Sequence, residues 1–177
     1  MTSDPGASSI PIAAEPLAPE AFAPFGQVLG PGIGESRLIR DGDVRLTRVP
    51  PCLDHAEAAF CADVDIYEVG GVAAPVACAR IERHPLSAQL FMPQTGAAGT
   101  DARWLVVVWP EGPDGPVRAF VADGGQGVVY SRGVWHMGIV ALGADQRFLS
   151  VMFRGAGTRD TEFHALSRPV AIEVAAV

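Results

Sequence analysis

Four side chains stand out as able to do chemistry. Glu82, His84 and Gln89 fall close together, and His136 follows about fifty residues on. Histidine changes charge near neutral pH and offers a ring nitrogen to a proton or a metal ion. Glutamate is a base or an oxygen ligand, and a glutamine amide both donates and accepts hydrogen bonds. The first three lie in Arg80-Ile81-Glu82-Arg83-His84-Pro85-Leu86-Ser87-Ala88-Gln89-Leu90-Phe91-Met92-Pro93, which reads as two strands joined at a proline. Strand side chains alternate with a period of two. Arg80, Glu82 and His84 therefore share one face, while Ile81 and Arg83 point the other way. Pro85 has no N–H for a ladder and ends the first strand. Gln89, Phe91 and Pro93 then share a face. Such a row is either a solvated surface or the polar lining of a cavity. A second run, Gly125 to His136, ends in another histidine and gives weight to the cavity.

The elements that must position these groups follow from composition and pattern. A chain of 177 residues with 49% hydrophobic and 19% charged residues reads as one globular domain. It is long enough to bury a full core. The net charge of −7 argues against a nucleic-acid partner or an anionic membrane surface. The sequence has no apolar run near eighteen residues, so no membrane span is expected. The start lacks a basic region and apolar block, so the cytoplasm is the expected location. Cys52, Cys61 and Cys78 have no paired metal spacing and read as small apolar fillers. All thirteen basic residues are arginine. Schiff-base lysine chemistry is thereby excluded, and an anionic substrate must be held by arginine or backbone N–H groups.

Along the chain, residues 1–15 read as a flexible lead-in and 16–177 as a single domain. Leu17 to Gly26 is a short helical turn, opened by Pro19 and stopped by Pro24 and Gly26. Leu17, Phe22 and Phe25 would plug one end of a barrel. Ser36-Ile39 and Val44-Val49 flank a turn at Arg40 to Asp43. Ala56 to Phe60 is a possible helical turn, and Ile66-Val69 a brief strand. Further strands are expected at Val76-His84, Gln89-Met92, Trp104-Trp109, Val117-Val121, Gly127-Tyr130, His136-Ala141 and Phe148-Phe153. A short helix is expected at Thr161 to Leu166. Pro169 to Val177 reads either as a closing edge strand or as a segment lying on a partner subunit. Many short strands at about ten-residue spacing point to an all-β sandwich or barrel.

The two polar stretches resemble the two motifs of cupins. The first reads Glu82-x-His84-x4-Gln89-x6-Gly96 and the second Gly125-x5-Ser131-x-Gly133-x2-His136. Val76 stands at the family's opening glycine, and Ser131 at its proline. A closer resemblance, over Leu17 to Gly155, is to the ureidoglycolate lyase family. It is carried by Leu17-x2-Glu20-x-Phe22-x3-Gly26, Glu82-Arg83-His84-Pro85-Leu86-x2-Gln89-x-Phe91-x-Pro93, Ala119-Phe120, and Gln126-Gly127-Val128-x-Tyr130-x-Arg132-x-Val134-Trp135-His136. Two regions depart from the family. Met137 replaces a second histidine, and Met152 and Phe153 occupy the region of an aspartate.

The resemblance implies a cupin-type double-stranded β-barrel (jelly roll) with a few short helices, assembled as a homodimer. It implies cleavage of ureidoglycolate to glyoxylate and urea, a step of allantoin and hence purine catabolism. His84, His136, Glu82 and Gln89 would be the catalytic residues. Arg132 and Arg154, with Arg45 or Arg48 in reserve, would grip the substrate carboxylate. Tyr130 and Trp135 would wall the pocket. His84, Gln89 and His136 would also be ligands if a divalent ion such as Ni, Mn or Zn is used. Gln89 in place of an acidic ligand removes a charge, so the ion is expected to be loosely held or absent. No organic cofactor is expected. The partner is a small anionic substrate, with neither nucleic acid nor membrane. Competing readings are a surface pairing of Glu82 with Arg80 or Arg83, a surface turn at Arg132, and a loop cap at Arg154. His55 and His164 read as surface residues, and Trp104 and Trp109 as core or edge aromatics. Two other functions stay open. One is a related enzyme for another small 2-hydroxy or 2-oxo acid derivative; the other is a cupin that binds a small ligand without catalysis.

Overall fold

A computed structural model describes residues 9–50, 53–94, 102–155 and 160–175. The chain opens with strands β1 (Ile10–Ala13) and β2 (Glu15–Pro16), then helix α1 (Pro19–Phe22) and β3 (Gly26–Leu29). A hairpin of β4 (Glu35–Ile39) and β5 (Val44–Arg48) comes next, followed by β6 (Cys61–Val69) and β7 (Gly71–Val72). The two strands around the proline are β8 (Val76–Arg83) and β9 (Gln89–Pro93). Then come β10 (Arg103–Trp109), β11 (Arg118–Asp123), β12 (Gly127–Tyr130), β13 (Trp135–His136) and β14 (Val140–Leu142). The last strands are β15 (Gln146–Arg154) and β16 (Glu162–Glu173).

Apart from the separate β4–β5 hairpin, these strands form two facing sheets. The larger runs β1-β16-β8-β13-β10-β11-β2, with β14 pairing β10 and β7; the smaller runs β3-β12-β9-β15-β6. The expected all-β, cupin-type barrel is what the chain adopts. Its interior is filled from both sheets: Trp104, Val106, Val108 and Phe120 from the larger, Val28, Phe91, Val128 and Phe148 from the smaller. Phe22 of α1 closes this core, edge-on to Phe25, Phe120 and Tyr130 at 5.8, 5.8 and 5.9 Å. The plug expected from Leu17, Phe22 and Phe25 therefore forms.

Strand β10 is buried on both faces. Trp104, Val106 and Val108 face the interior. Leu105, Val107 and Trp109 face a second cluster on the back of the larger sheet, with Ile81, Val170 and Ile172, against which Ile12, Leu166 and Val174 pack. That second cluster explains three departures from expectation. Ile10–Ala13, inside the expected lead-in, pairs in parallel with Val170–Glu173. Thr161 to Leu166 is not helical: Glu162 to Ala165 pair with Arg83 to Arg80 of β8. The backbone groups of β8 need a ladder partner, and the Arg83–Glu162 ion pair at 2.6 Å bridges the two strands at this register. Third, the expected strand His136–Ala141 is split. Met137 N donates to Val107 O at 3.0 Å, and the chain leaves the ladder until Val140.

Smaller points follow. Ala56 to Phe60 makes turns, not a helix. Cys78 is buried as expected, whereas Cys61 is exposed; Cys52 and Gly96 lie outside the described residues. Trp104 and Trp109 are core. The β4–β5 hairpin turns through Arg40 and Asp41, both with positive φ, and leaves Leu38 59% exposed.

Candidate active site

The site lies where the two sheets meet at one end of the interior. His136 sits on two-residue β13, opposite Val108 of β10 on one side and Glu82 of β8 on the other. Glu82 in turn opposes Phe163 of β16. Cross-strand partners share a face, so Val108, His136, Glu82 and Phe163 form a row. Pro85 ends β8, and His84 follows Glu82 round the corner. Gln89 opens β9 on the facing sheet, opposite Tyr130 and Met152.

Main-chain carbonyls orient both histidines. His84 Nδ1 is 2.8 Å from Asp160 O, and His136 Nδ1 is 2.9 Å from Val134 O. A carbonyl only accepts, so each Nδ1 carries the proton and each Nε2 a lone pair. Both rings are buried, their centroids 5.3 Å apart. The Tyr130 ring stacks on His136 at 4.2 Å and 11°. Glu82 Oε1 lies 3.8 Å from His136 Nε2. One ligand atom from each of Glu82, His84 and His136 falls within 4.8 Å of the others.

Three buried atoms here have no hydrogen-bond partner among the described residues: His84 Nε2, His136 Nε2 and Gln89 Oε1. Buried polar atoms are nearly always paired, so a cluster of orphans marks a place for something bound. Two imidazole lone pairs with a carboxylate and an amide oxygen fit a divalent ion of the N/O-liking kind. They fit a polar substrate equally, since each orphan accepts a hydrogen bond from O–H or N–H. Burial first, then the neighbouring His84, pushes the His136 pKa down to about 3. His136 is thus neutral at physiological pH. Burial, with a contribution from Glu82, pushes the Tyr130 phenol far up, so it stays protonated.

The remaining candidates divide. Arg154 is on β15 at the mouth, held by Asp63 at 3.0 Å and Asp65 at 3.2 Å of β6. Arg132 lies beside the site on the His84 corner: it donates to Pro85 O and pairs with Asp54 at 3.3 Å. Arg45 and Arg48 are on the β4–β5 hairpin and are not brought to the site. Trp135 is not either. It neighbours His136 in the strand, so it faces the back cluster, where the Arg83 guanidinium lies 4.7 Å from its ring. His55 is exposed and stacks on Phe153 at 4.0 Å; His164 is half-buried, edge-on to Trp135.

Sequence reasoning missed Tyr67 of β6. Its ring meets Phe91 edge-on at 5.7 Å. Burial raises its pKa first, then the charges of Asp65 and Glu82. Its strand was legible, but nothing local ties it to a motif fifteen residues on. Asp160 was missed for a different reason: its carbonyl orients His84 and its carboxylate accepts the Leu86 N–H at 2.7 Å, partners too far off in the sequence to form a local motif.

The family model described as ureidoglycolate lyase matches residues 9–173. The chain is 36% identical over 155 residues to ureidoglycolate lyase 1 of Rhizobium meliloti, covering 86% of this chain and 88% of that one. It is 34% identical over 151 residues to ureidoglycolate lyase of Pseudomonas fluorescens, covering 84% and 87%. Among solved structures, a dTDP sugar isomerase from Desulfovibrio desulfuricans aligns at 17% identity and a TM-score of 0.45, covering 81% and 87%. A family match along almost the whole chain, with relatives above 30% identity over most of it, places the protein: it is a member of the ureidoglycolate lyase family.

Proposed function

We propose that this enzyme cleaves ureidoglycolate into glyoxylate and urea. The observation that supports this most directly is the meeting of the Glu82 carboxylate with two proton-accepting Nε2 atoms and the Gln89 amide oxygen in one buried corner. The substrate is a carbinolamide. Its hydroxyl proton leaves, the oxygen's electron pair closes to C=O, and the C–N pair departs with the urea nitrogen, which takes up a proton. No covalent intermediate and no redox partner are needed.

Roles follow from electrostatics. His136 resists protonation, so it is a poor base and a good lone-pair donor. Glu82, its side chain 22% exposed and next to His136, is the group to take the hydroxyl proton and return it to nitrogen. His84 and His136 accept hydrogen bonds from the carbinol and ureido groups, and Gln89 orients the ureido end. Tyr130 holds the His136 ring in plane. Arg154 closes the rim. A divalent ion bound by Glu82, His84 and His136, with Gln89, would act as a Lewis acid on the carbinol oxygen.

A homodimer is part of this reading. Among the described residues the β4–β5 hairpin packs chiefly on itself and its turn, and an isolated two-stranded ribbon is marginal in water. The outer face of β6 leaves Val64 63% and Ile66 54% exposed. A second copy would cover both. No helix of the described chain is long and apolar enough to cross a membrane. Cytoplasmic allantoin breakdown is the setting that suits the substrate.

A second reading is another small 2-hydroxy or 2-oxo acid derivative. Met152 favours it: the Gln89 amide meets a thioether sulfur at 3.9 Å rather than a carboxylate. The deciding assay is glyoxylate release from ureidoglycolate by purified protein, with and without chelator. Absence of release under both conditions sinks the lyase reading.

A further inference from the structure

We infer that Arg80 is the residue that binds the substrate carboxylate, and so selects acidic over neutral ureides; the inference rests on the lyase reading above. The arginines named for that task are otherwise engaged or remote. Arg132 is committed to Asp54 and Pro85 O, and Arg154 to two aspartates. Arg45 stands on the projecting hairpin. A guanidinium already neutralised by carboxylates must give one up to bind another, which cancels most of the gain. The barrel needs a cation that faces the site and has no anion of its own.

Arg80 meets both conditions. It is two residues before Glu82 on β8, and the pairing of 80–83 with 162–165 is regular, so both side chains emerge on the same face. Its guanidinium lies 4.8 Å from the centroid of Phe163, the residue directly opposite Glu82. That contact sets the head group at the Phe163 end of the row, with Glu82 between it and His136. Arg80 has no carboxylate partner among the described residues, and its side chain makes no hydrogen bond there. The ring leaves the planar fork of donors open on its edge, the geometry that accepts a carboxylate through two parallel N–H···O bonds. The ureidoglycolate carboxylate and carbinol hydroxyl are on one carbon. With the carboxylate on Arg80, the hydroxyl is carried towards Glu82.

The test compares wild type, Arg80→Gln and Arg80→Lys. Arg80 is exposed and Phe163 is its one ring contact, so both variants are expected to fold, which circular dichroism checks. Arg80→Gln should raise KM for ureidoglycolate about ten- to a hundredfold with kcat little changed. Arg80→Lys should recover part of the loss. For the neutral carboxamide of the same substrate, wild type and Arg80→Gln should be indistinguishable. Calorimetric titration of glyoxylate reads the same contact without turnover, and binding should weaken in Arg80→Gln. An unchanged KM with unchanged glyoxylate binding overturns the inference, as does an equal KM rise for the acid and its carboxamide. Wild type that binds glyoxylate through Arg80 yet releases none from ureidoglycolate overturns the lyase reading alone.

Discussion

Glu82 Oε1 and His136 Nε2 lie 3.8 Å apart, in directly opposed positions of neighbouring strands. A backbone pairing, not a flexible loop, therefore sets the distance between the proposed base and its neighbour. Glu82→Gln keeps the shape and removes the proton acceptor. It should lower kcat about 10²–10⁴-fold while leaving the melting temperature nearly unchanged. Steady-state glyoxylate release measures this, and a Glu82→Gln enzyme within tenfold of wild type would exclude Glu82 as the base.

His136 ties stability to pH. In the unfolded chain its imidazole takes up a proton near the ordinary value of 6.5; in the folded chain it does so only at about 3. Between those values the unfolded state holds more protons, so stability rises with pH and is lost as pH falls from 6.5 towards 3. The slope from this one site is at most about 1.4 kcal/mol per pH unit. Denaturant titrations in chelator at pH 7, 5.5 and 4.5 should show it, and His136→Gln should flatten it. A slope identical in the variant would assign the effect elsewhere.

The orphaned nitrogens make a claim about ions. Added Ni, Mn or Zn should raise the melting temperature with ion concentration, as any ligand of the folded state does. His84→Ala and His136→Ala should each abolish that rise. Stabilisation that survives both substitutions would place the bound ion away from this corner.

Gly26 tests how the site is backed. A Cβ there would come within 1.8 Å of Val129 O, and Gly26 is the cross-strand partner of Tyr130, which stacks on His136. Gly26→Ala should cost more than about 2 kcal/mol in denaturant unfolding, with loss of activity before global unfolding. A near-neutral effect would mean that β3 shifts away without disturbing Tyr130.

The dimer reading has its own check. Leu38→Glu on the hairpin and Ile66→Glu on the outer sheet face should each shift sedimentation towards the monomer. A wild-type monomer at micromolar concentration would remove the proposed role of both surfaces.

Much of this architecture was legible in the sequence because period-two alternation survives wherever one face is buried. β8, β9, β12 and β15 fall close to where alternation and turn residues put them. The cluster of Glu82, His84 and His136 was legible because motif spacing encodes it. Thr161 to Leu166 was not, because Phe163 and Ala165 alternate over too short a run to separate strand from helix, and the deciding factor was the open edge of β8. Trp135 was misplaced for a simple reason: adjacent strand residues face opposite ways, so His136 inside puts Trp135 outside. Arg45 could not be placed because its hairpin makes few contacts that would anchor it.

Strand β16 is continuous in the chain yet divided in its pairing: residues 162–165 match Arg83 to Arg80, residues 170–172 match Cys78 to Val76, and the register shifts across a bulge between them. Unzipping that starts at the Val170 side, where β1 also attaches, meets a break before it reaches Phe163. The bulge thus acts as a firebreak, and the half of the strand that shapes the substrate corner stands insulated from events at the other half.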